Sequence, residues 1–296
     1  MALLSFKKPL HEVVRHVSDD DLYATAKFII LALVVLPLLP DRTFDPWQVL
    51  NPFEIGLMVV LVAGISFLGY IATRAVSPDK GLVVTGLLGG LVSSTAVTVS
   101  LATRVHADLK IIHPATTAIL MASATMFLRM LAVVGIVDPV LLSTLAWPVG
   151  SMLAVTYGAA CLWYVRVPGP DADAPSVPHR NPFELRSALA FGGLYAVVLV
   201  AVKLAQRALG DYGLYASSVL AGVHDVDALM LSMTRFHRDG LAASTAAGAI
   251  TLAAITNTAV KAGLATWLGG KELGKGVALG LLATLLAGGL VLFFLR

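Results

Sequence analysis

The run Gly222-Val-His224-Asp225-Val-Asp227 places three groups able to do chemistry in the middle of an otherwise apolar stretch. An ionised side chain at the centre of a bilayer costs about 2.5–3.5 kcal/mol on insertion scales, so such groups must face protein or water, and their default reading is functional. On an unbroken helix His224 and Asp227 share a face while Asp225 points about 160° away from it. Both carboxylates reach one site only if the helix unwinds there, which Gly222 permits. Asp225 and Asp227 are then candidate ligands of a cation, a metal such as magnesium included, or carriers of a proton, with His224 beside them. Their expected charge partners are Arg129 and Lys261, which together make the interior formally neutral. Lys261 sits off the centre of its run, where its ammonium can snorkel toward the interface. Static pairing that only locks helices together is the structural alternative.

A second stretch, Gly86-Leu-Leu-Gly89-Gly90-Leu-Val-Ser93-Ser94-Thr95, sets three hydroxyls behind a series of glycines. Glycine weakens a membrane helix, and an interrupted helix exposes carbonyls and amides that coordinate an ion where they line a cavity. Ser93, Ser94 and Thr95 are the candidate neutral oxygens. Small residues and hydroxyls also make close helix contacts in membranes, and packing accounts for this stretch at least as well. Asn257, a turn before Lys261, is a further neutral ligand or an interhelical hydrogen bonder. Glu54 and Glu184 are read as capping groups alone. His106, His113, His179 and His237, in or near loops, are assigned no chemistry.

The elements that must position these residues are membrane helices. Apolar runs near the roughly 20 residues that cross a bilayer recur from Leu22 onward, giving nine spans at about 22–40, 53–73, 81–103, 115–137, 141–165, 184–209, 213–235, 241–267 and 274–295. The fold class is an all-α polytopic membrane bundle. Residues 1–21 read as an amphipathic surface segment, with Leu10, Val13, Val14 and Val17 at helical spacing and Ser18 capping the next helix. Pro168, Pro170, Pro175 and Pro178 mark 166–180 as an exposed linker. It separates 22–165, the first repeat with the start of the second, from 181–295, the second repeat and the final helix.

The repeat rests on Asn51-Pro-Phe-Glu54, which returns as Asn181-Pro-Phe-Glu184, each copy a helix start with an Asn cap and Pro at the first position. A shift of 132 residues then superposes Gly90 on Gly222, Ser93 on Asp225, Thr95 on Asp227, Thr125 on Asn257 and Arg129 on Lys261. Four helices per repeat, with a ninth at the end, give halves of the same orientation; a re-entrant Gly-rich segment would invert them.

Composition closes several routes. The chain is 57% hydrophobic and 13% charged, with mean hydropathy +0.84, far from a soluble domain. Its net charge of +3 comes from single basic residues at the ends of apolar runs, so no nucleic-acid partner is expected. The single cysteine, Cys161, allows neither a disulfide framework nor a thiolate cluster. No Gly-x-Ser-x-Gly elbow, HExxH or Walker-type phosphate loop occurs, so an enzyme is not expected.

With Gly86 to Thr103 reading GLLGGLVSSTAVTVSLAT, the repeated NPFE and the GVHDVDALMLSMTR run from Gly222 to Arg235, the chain resembles the membrane domain of unknown function found C-terminal to MgtC/SapB domains. The resemblance implies a multi-pass protein of the bacterial inner membrane, with magnesium or another divalent cation as its theme and an MgtC-like domain as a partner. The residues themselves lead to a secondary transporter or permease for a small cation, proton-coupled. Proton-coupled transport of an anionic solute on Arg129 and Lys261, and a scaffold or regulatory protein that transports nothing, stand as alternatives. The expected partners are the lipid bilayer, a small ion or solute and a second copy of the chain; GxxxG-like spacing at Gly270, Gly274, Gly276 and Gly280 permits close helix contacts, within one chain or between two. No covalent cofactor is expected, only a bound cation and a coupling proton.

Overall fold

Backbone amides and carbonyls in hydrocarbon must bond within their own segment, so a chain this apolar folds as helices. The computed structural model describes residues 19–75, 81–166 and 185–294, and every extended regular element among them is helical. The surface segment up to residue 18, residues 167–184 of the linker region and the second Asn-Pro-Phe-Glu with Glu184 lie outside the described residues.

Helix α1 (Asp19–Ile30) continues through a π-helical turn at Leu31–Val35 and a last turn at Leu36–Leu38. A loop follows in which the Asp45 carboxylate accepts hydrogen bonds from the amides of Trp47, Val49 and Leu50 at 3.0, 3.0 and 2.6 Å. Burial works against the charged carboxylate there, but these amide bonds outweigh it and hold its pKa below the ordinary value. Asn51 then caps α2 (Pro52–Ala75), its Oδ1 taking the amides of Phe53 and Glu54 at 3.0 and 3.4 Å. After α2 come α3 (Gly81–Ala107), α4 (Ile112–Val137), α5 (Pro139–Arg166), α6 (Leu185–Leu209), α7 (Asp211–His224), α8 (Asp227–Arg238) and α9 (Ala243–Phe294).

Six of the described helical segments are long and apolar enough to cross a membrane, carried by α2, α3, α4, α5, α6 and α9. Large apolar side chains such as Trp267, Leu279, Leu286 and Leu290 point outward, as lipid-facing residues do. The protein is a multi-pass helical membrane protein.

Two of the six are folded back on themselves. In α9 the backbone leaves the helix at Gly270 (φ 82°, ψ 174°), a conformation that favours glycine. A Cβ on Gly274 would lie 2.8 Å from Thr266 Cα, and one on Gly288 3.3 Å from Ile255. Contacts that close, eight residues apart and more, need a hairpin, since a straight helix separates them by about 12 Å. In α3 the break is Ser93 (φ −163°, ψ 106°), and a Cβ on Gly89 would stand 2.8 Å from Val97. The segment 81–92 therefore goes in and 94–107 comes back.

Close glycine contacts give the directions of the helices. Gly86 abuts Ala118 and Gly90 abuts Ala122, so 81–92 runs parallel to α4. Tyr215 meets Gly248 and Gly222 meets Ala253, so α7 runs parallel to the first arm of α9, and α8 must return. Gly276 meets Thr116 and Gly280 meets Leu120, which sets the second arm of α9 parallel to α4. Against α5 that arm runs antiparallel, with Thr156 Oγ1 at 2.7 Å from Thr284 Oγ1 and Met152 against Gly288. The straight spans expected over 81–103 and 213–235 are corrected to re-entrant hairpins. The expectation of halves in the same orientation rested on those straight spans.

Candidate functional site

The tips of the two hairpins meet at one place. Ser93 is extended, and its Oγ accepts the Ala96 amide at 3.2 Å, capping the returning arm 94–107. Asp225 is extended in the same way (φ −155°, ψ 138°), and its Oδ1 accepts the Asp227 amide at 3.3 Å at the start of α8. The unwinding that Asp225 and Asp227 need to share a site is therefore present, one residue beyond the end of α7.

A helix that stops inside a membrane leaves carbonyls without partners. The helix that follows each hairpin supplies the donors. Arg129 of α4 donates from Nη1 to the carbonyls of Leu91 and Val92 at 3.1 and 3.3 Å. Asn257 of α9 donates from Nδ2 to the carbonyl of Gly222 at 3.0 Å. The buried side chain of Asn257 is thus a structural donor at the break.

Arg129 also crosses to the other hairpin, where its Nη2 meets Asp227 Oδ2 at 2.5 Å. The pair is almost wholly buried, with side chains 10% and 7% exposed. The guanidinium Nε is buried without a hydrogen-bond partner. Lys261 departs from expectation. Its side chain is completely buried and its Nζ lies 2.9 Å from Met126 Sδ, paired to neither aspartate and far from snorkelling to an interface. It sits off the centre of its run, yet the fold back at Gly270 wraps other helices around it.

Between the hairpin tips and helices α2 and α6 lies a cleft of about 1070 Å³. Ser93, Thr95, Arg129, His224, Asp225 and Asp227 all line it. Ser94 does not; it is buried, and its carbonyl accepts the Thr98 hydroxyl at 2.9 Å. Among the described residues Asp225 takes part in no ion pair, whereas Asp227 is held by Arg129. No group of three or more His, Cys, Asp and Glu side chains placed to hold a metal ion occurs among them either.

Sequence reasoning missed several cleft hydroxyls, Ser66 of α2, Ser100 and Thr103 of α3 and Ser187 of α6. The spacing of Ser93, Ser100 and Thr103, seven and ten residues apart, puts them on one helical face and could have found two of them. It also missed the ion pairs at the base of α8. Arg235 Nη1 stands against Glu54 Oε2, out of hydrogen-bond alignment, so Glu54 does more than cap α2. His237 Nδ1 meets Asp138 Oδ2 at 2.5 Å at the joint between α4 and α5, and so is not an idle loop histidine. Burial opposes charge on Asp138, but its bonds to His237 and the Leu141 amide keep its pKa below the usual carboxylate value.

A protein of Aquifex aeolicus (strain VF5) described as uncharacterized is 28% identical over 193 residues, which cover 65% of this chain and 84% of that one. No solved structure matches the chain. Residues 60–269, which hold both hairpins, Arg129 and Lys261, match the domain of unknown function DUF4010, and the chain belongs to that family.

Proposed function

We propose that the chain is a secondary transporter for a small cation, and that Asp225 is the group which exchanges that cation with a proton. The observation that carries this reading is the unpaired Asp225 carboxylate, set in an open cleft at the break between two half-helices. A carboxylate without a counter-ion at membrane depth is stable only when protonated or when a cation joins it. Ser93 and Thr95 across the cleft supply neutral oxygens, and His224 stands beside the carboxylate. We read the chain as a carrier rather than an enzyme.

The architecture supports the same reading. On the shift of 132 residues the two breaks, Ser93 and Asp225, coincide, and the fold at Gly270 falls on Asp138, the joint between α4 and α5. We read α2 to α5 and α6 to α9 as two copies of one unit, the two arms of α9 counted separately. The odd helix of the nine segments is then α1, not the last. Thr156 and Met152 of α5 meet the counterparts of each other on α9, Thr284 and Gly288, in antiparallel order. That pattern belongs to a two-fold axis perpendicular to the helices, hence to inverted repeats. Inverted repeats with discontinuous helices meeting near mid-membrane are a recurrent transporter plan.

Magnesium keeps several of its waters and takes one or two carboxylates, so a roomy cleft suits it. The likeness to domains that follow MgtC/SapB domains points to the same ion, a bacterial inner membrane and an MgtC-like partner. The anion reading has the buried Nε of Arg129 on its side. Yet the rest of that guanidinium is committed to Asp227 and two carbonyls, and Lys261 does not line the cleft. Flux into proteoliposomes, measured across a panel of mono- and divalent cations and small anions under an imposed pH gradient, tests the choice. Cation-selective uptake is expected; uptake confined to anions, or none at all, overturns it.

A further inference from the structure

The open cleft follows the returning arm of α3 outward from Ser93 to Thr103, walled by Val62 and Ser66 of α2 and by Phe191 of α6. The shift of 132 residues carries Val99 onto Leu231 and Thr103 onto Arg235, and exchanges the roles of α2 and α6. At that second place there is a narrow cavity of only about 10 Å³. Its walls are Glu54 and Met58 of α2, Tyr195 of α6, and Leu231, Arg235 and Arg238 of α8, with Val137 at the end of α4. Both spaces are lined by α2, α6, α4 and the returning arm of a hairpin, one wide and one narrow.

What shuts the second is charge. Arg235 is ion-paired with Glu54 and lies 3.7 Å from Asp239, and its open-side counterpart is the neutral Thr103. His237 and Asp138 fix the end of α8 as well, where the counterparts are Val105 and Gly270, which cannot pair. Phe191 of the open side stacks on Tyr195 of the shut side, with centroids 6.5 Å apart and planes within 7°. The two spaces therefore share a wall along α6.

We propose that the cavity between Glu54, Tyr195 and Arg235 is the second access route to Asp225, leading to the opposite membrane face and closed in this state by the Glu54–Arg235 ion pair. The proposal rests on the transport reading for its purpose, but the route itself is a matter of which side water reaches. The two hairpins enter from opposite ends of the bundle, so a path along α8 mirrors the path along α3. Opening one route and closing the other exposes Asp225 to each side in turn. Glu54 and Arg235 act on the cation only through this closure and are positioning residues.

The test uses the full chain with Cys161→Ala, which removes its single cysteine. Ser100→Cys reports the open route, and Ser232→Cys, at the equivalent position, reports the shut one. A membrane-impermeant maleimide is applied from each side of oriented vesicles. Ser100→Cys is expected to label from one side and Ser232→Cys to resist from both. Adding Glu54→Gln is expected to raise Ser232→Cys labelling about tenfold, from the side opposite to that which labels Ser100→Cys, by populating a minor state. The charge swap Glu54→Arg with Arg235→Glu is expected to restore resistance. If Glu54→Gln does not fold, Arg235→Gln replaces it with the same expectation. Ser232→Cys that stays unlabelled in a folded variant, or labels from the Ser100→Cys side, overturns the proposal. Side-switching without measurable flux would leave the gate standing and remove the cargo, while cation flux with no switching removes the gate.

Discussion

Arg129 binds two carbonyls of one hairpin and a carboxylate of the other, so a single side chain ties both breaks together. Removing one member of a buried pair strands the other charge, at about 3–5 kcal/mol. Arg129→Met is therefore expected to lower the thermal midpoint in detergent sharply, and Arg129→Met with Asp227→Leu to regain most of the loss. A double variant no better than the single one would show that the pair does not carry the stability. Asp45 makes a prediction about pH. Its pKa is depressed in the folded loop, so its contribution to stability is present above the ordinary carboxylate pKa and is lost as pH falls through the lowered one. Amide exchange at Val49 and Leu50 should accelerate in that acid window, and Asp45→Asn should remove the step. At this scale the sequence was informative where charge had to be balanced, as at Arg129 and Asp227. It misplaced Lys261, expected to pair or snorkel, whose burial depends on a fold at Gly270 that no local pattern announces.

Helix breaks were half legible. Gly222 and the spacing of His224, Asp225 and Asp227 pointed to an unwound segment, but the run from Gly81 to Ala107 is as apolar as a span and reads as one. Its reversal is set by contacts distant in sequence, Gly86 on Ala118 and Gly90 on Ala122, where a Cβ would come within 2.5–2.7 Å of backbone atoms. Gly90→Ala is accordingly expected to push the hairpin off α4 and cost about 1–3 kcal/mol, as overpacking does. Gly263→Ala has nothing within 4 Å of the added methyl and is expected to stabilise the first arm of α9 by up to about 1 kcal/mol. Chemical unfolding of the two variants side by side compares them directly. Equal effects would mean that helix propensity, not close approach, decides at Gly90.

The whole molecule turns on orientation, and sequence alone had left it to the unresolved question of re-entrance. Four straight helices per repeat put the loop after α3 and the loop after α8 on the same membrane face; two re-entrant hairpins put them on opposite faces. Lys110→Cys and Ala242→Cys, each exposed and each in the Cys161→Ala background, are expected to label from opposite sides of the membrane. Labelling from one side would restore the parallel arrangement. On the reading proposed above, inversion brings two hairpin tips to one depth, where among the described residues the Asp225 carboxylate has no ion-pair partner. That carboxylate carries the central claim. Cation uptake into proteoliposomes should therefore be measured for Asp225→Asn, a change that keeps the shape and the oxygen capping α8 but removes the charge. Uptake should fall to the level of empty vesicles while the thermal midpoint stays near that of the unaltered protein; transport by folded Asp225→Asn at the unaltered rate would contradict the account.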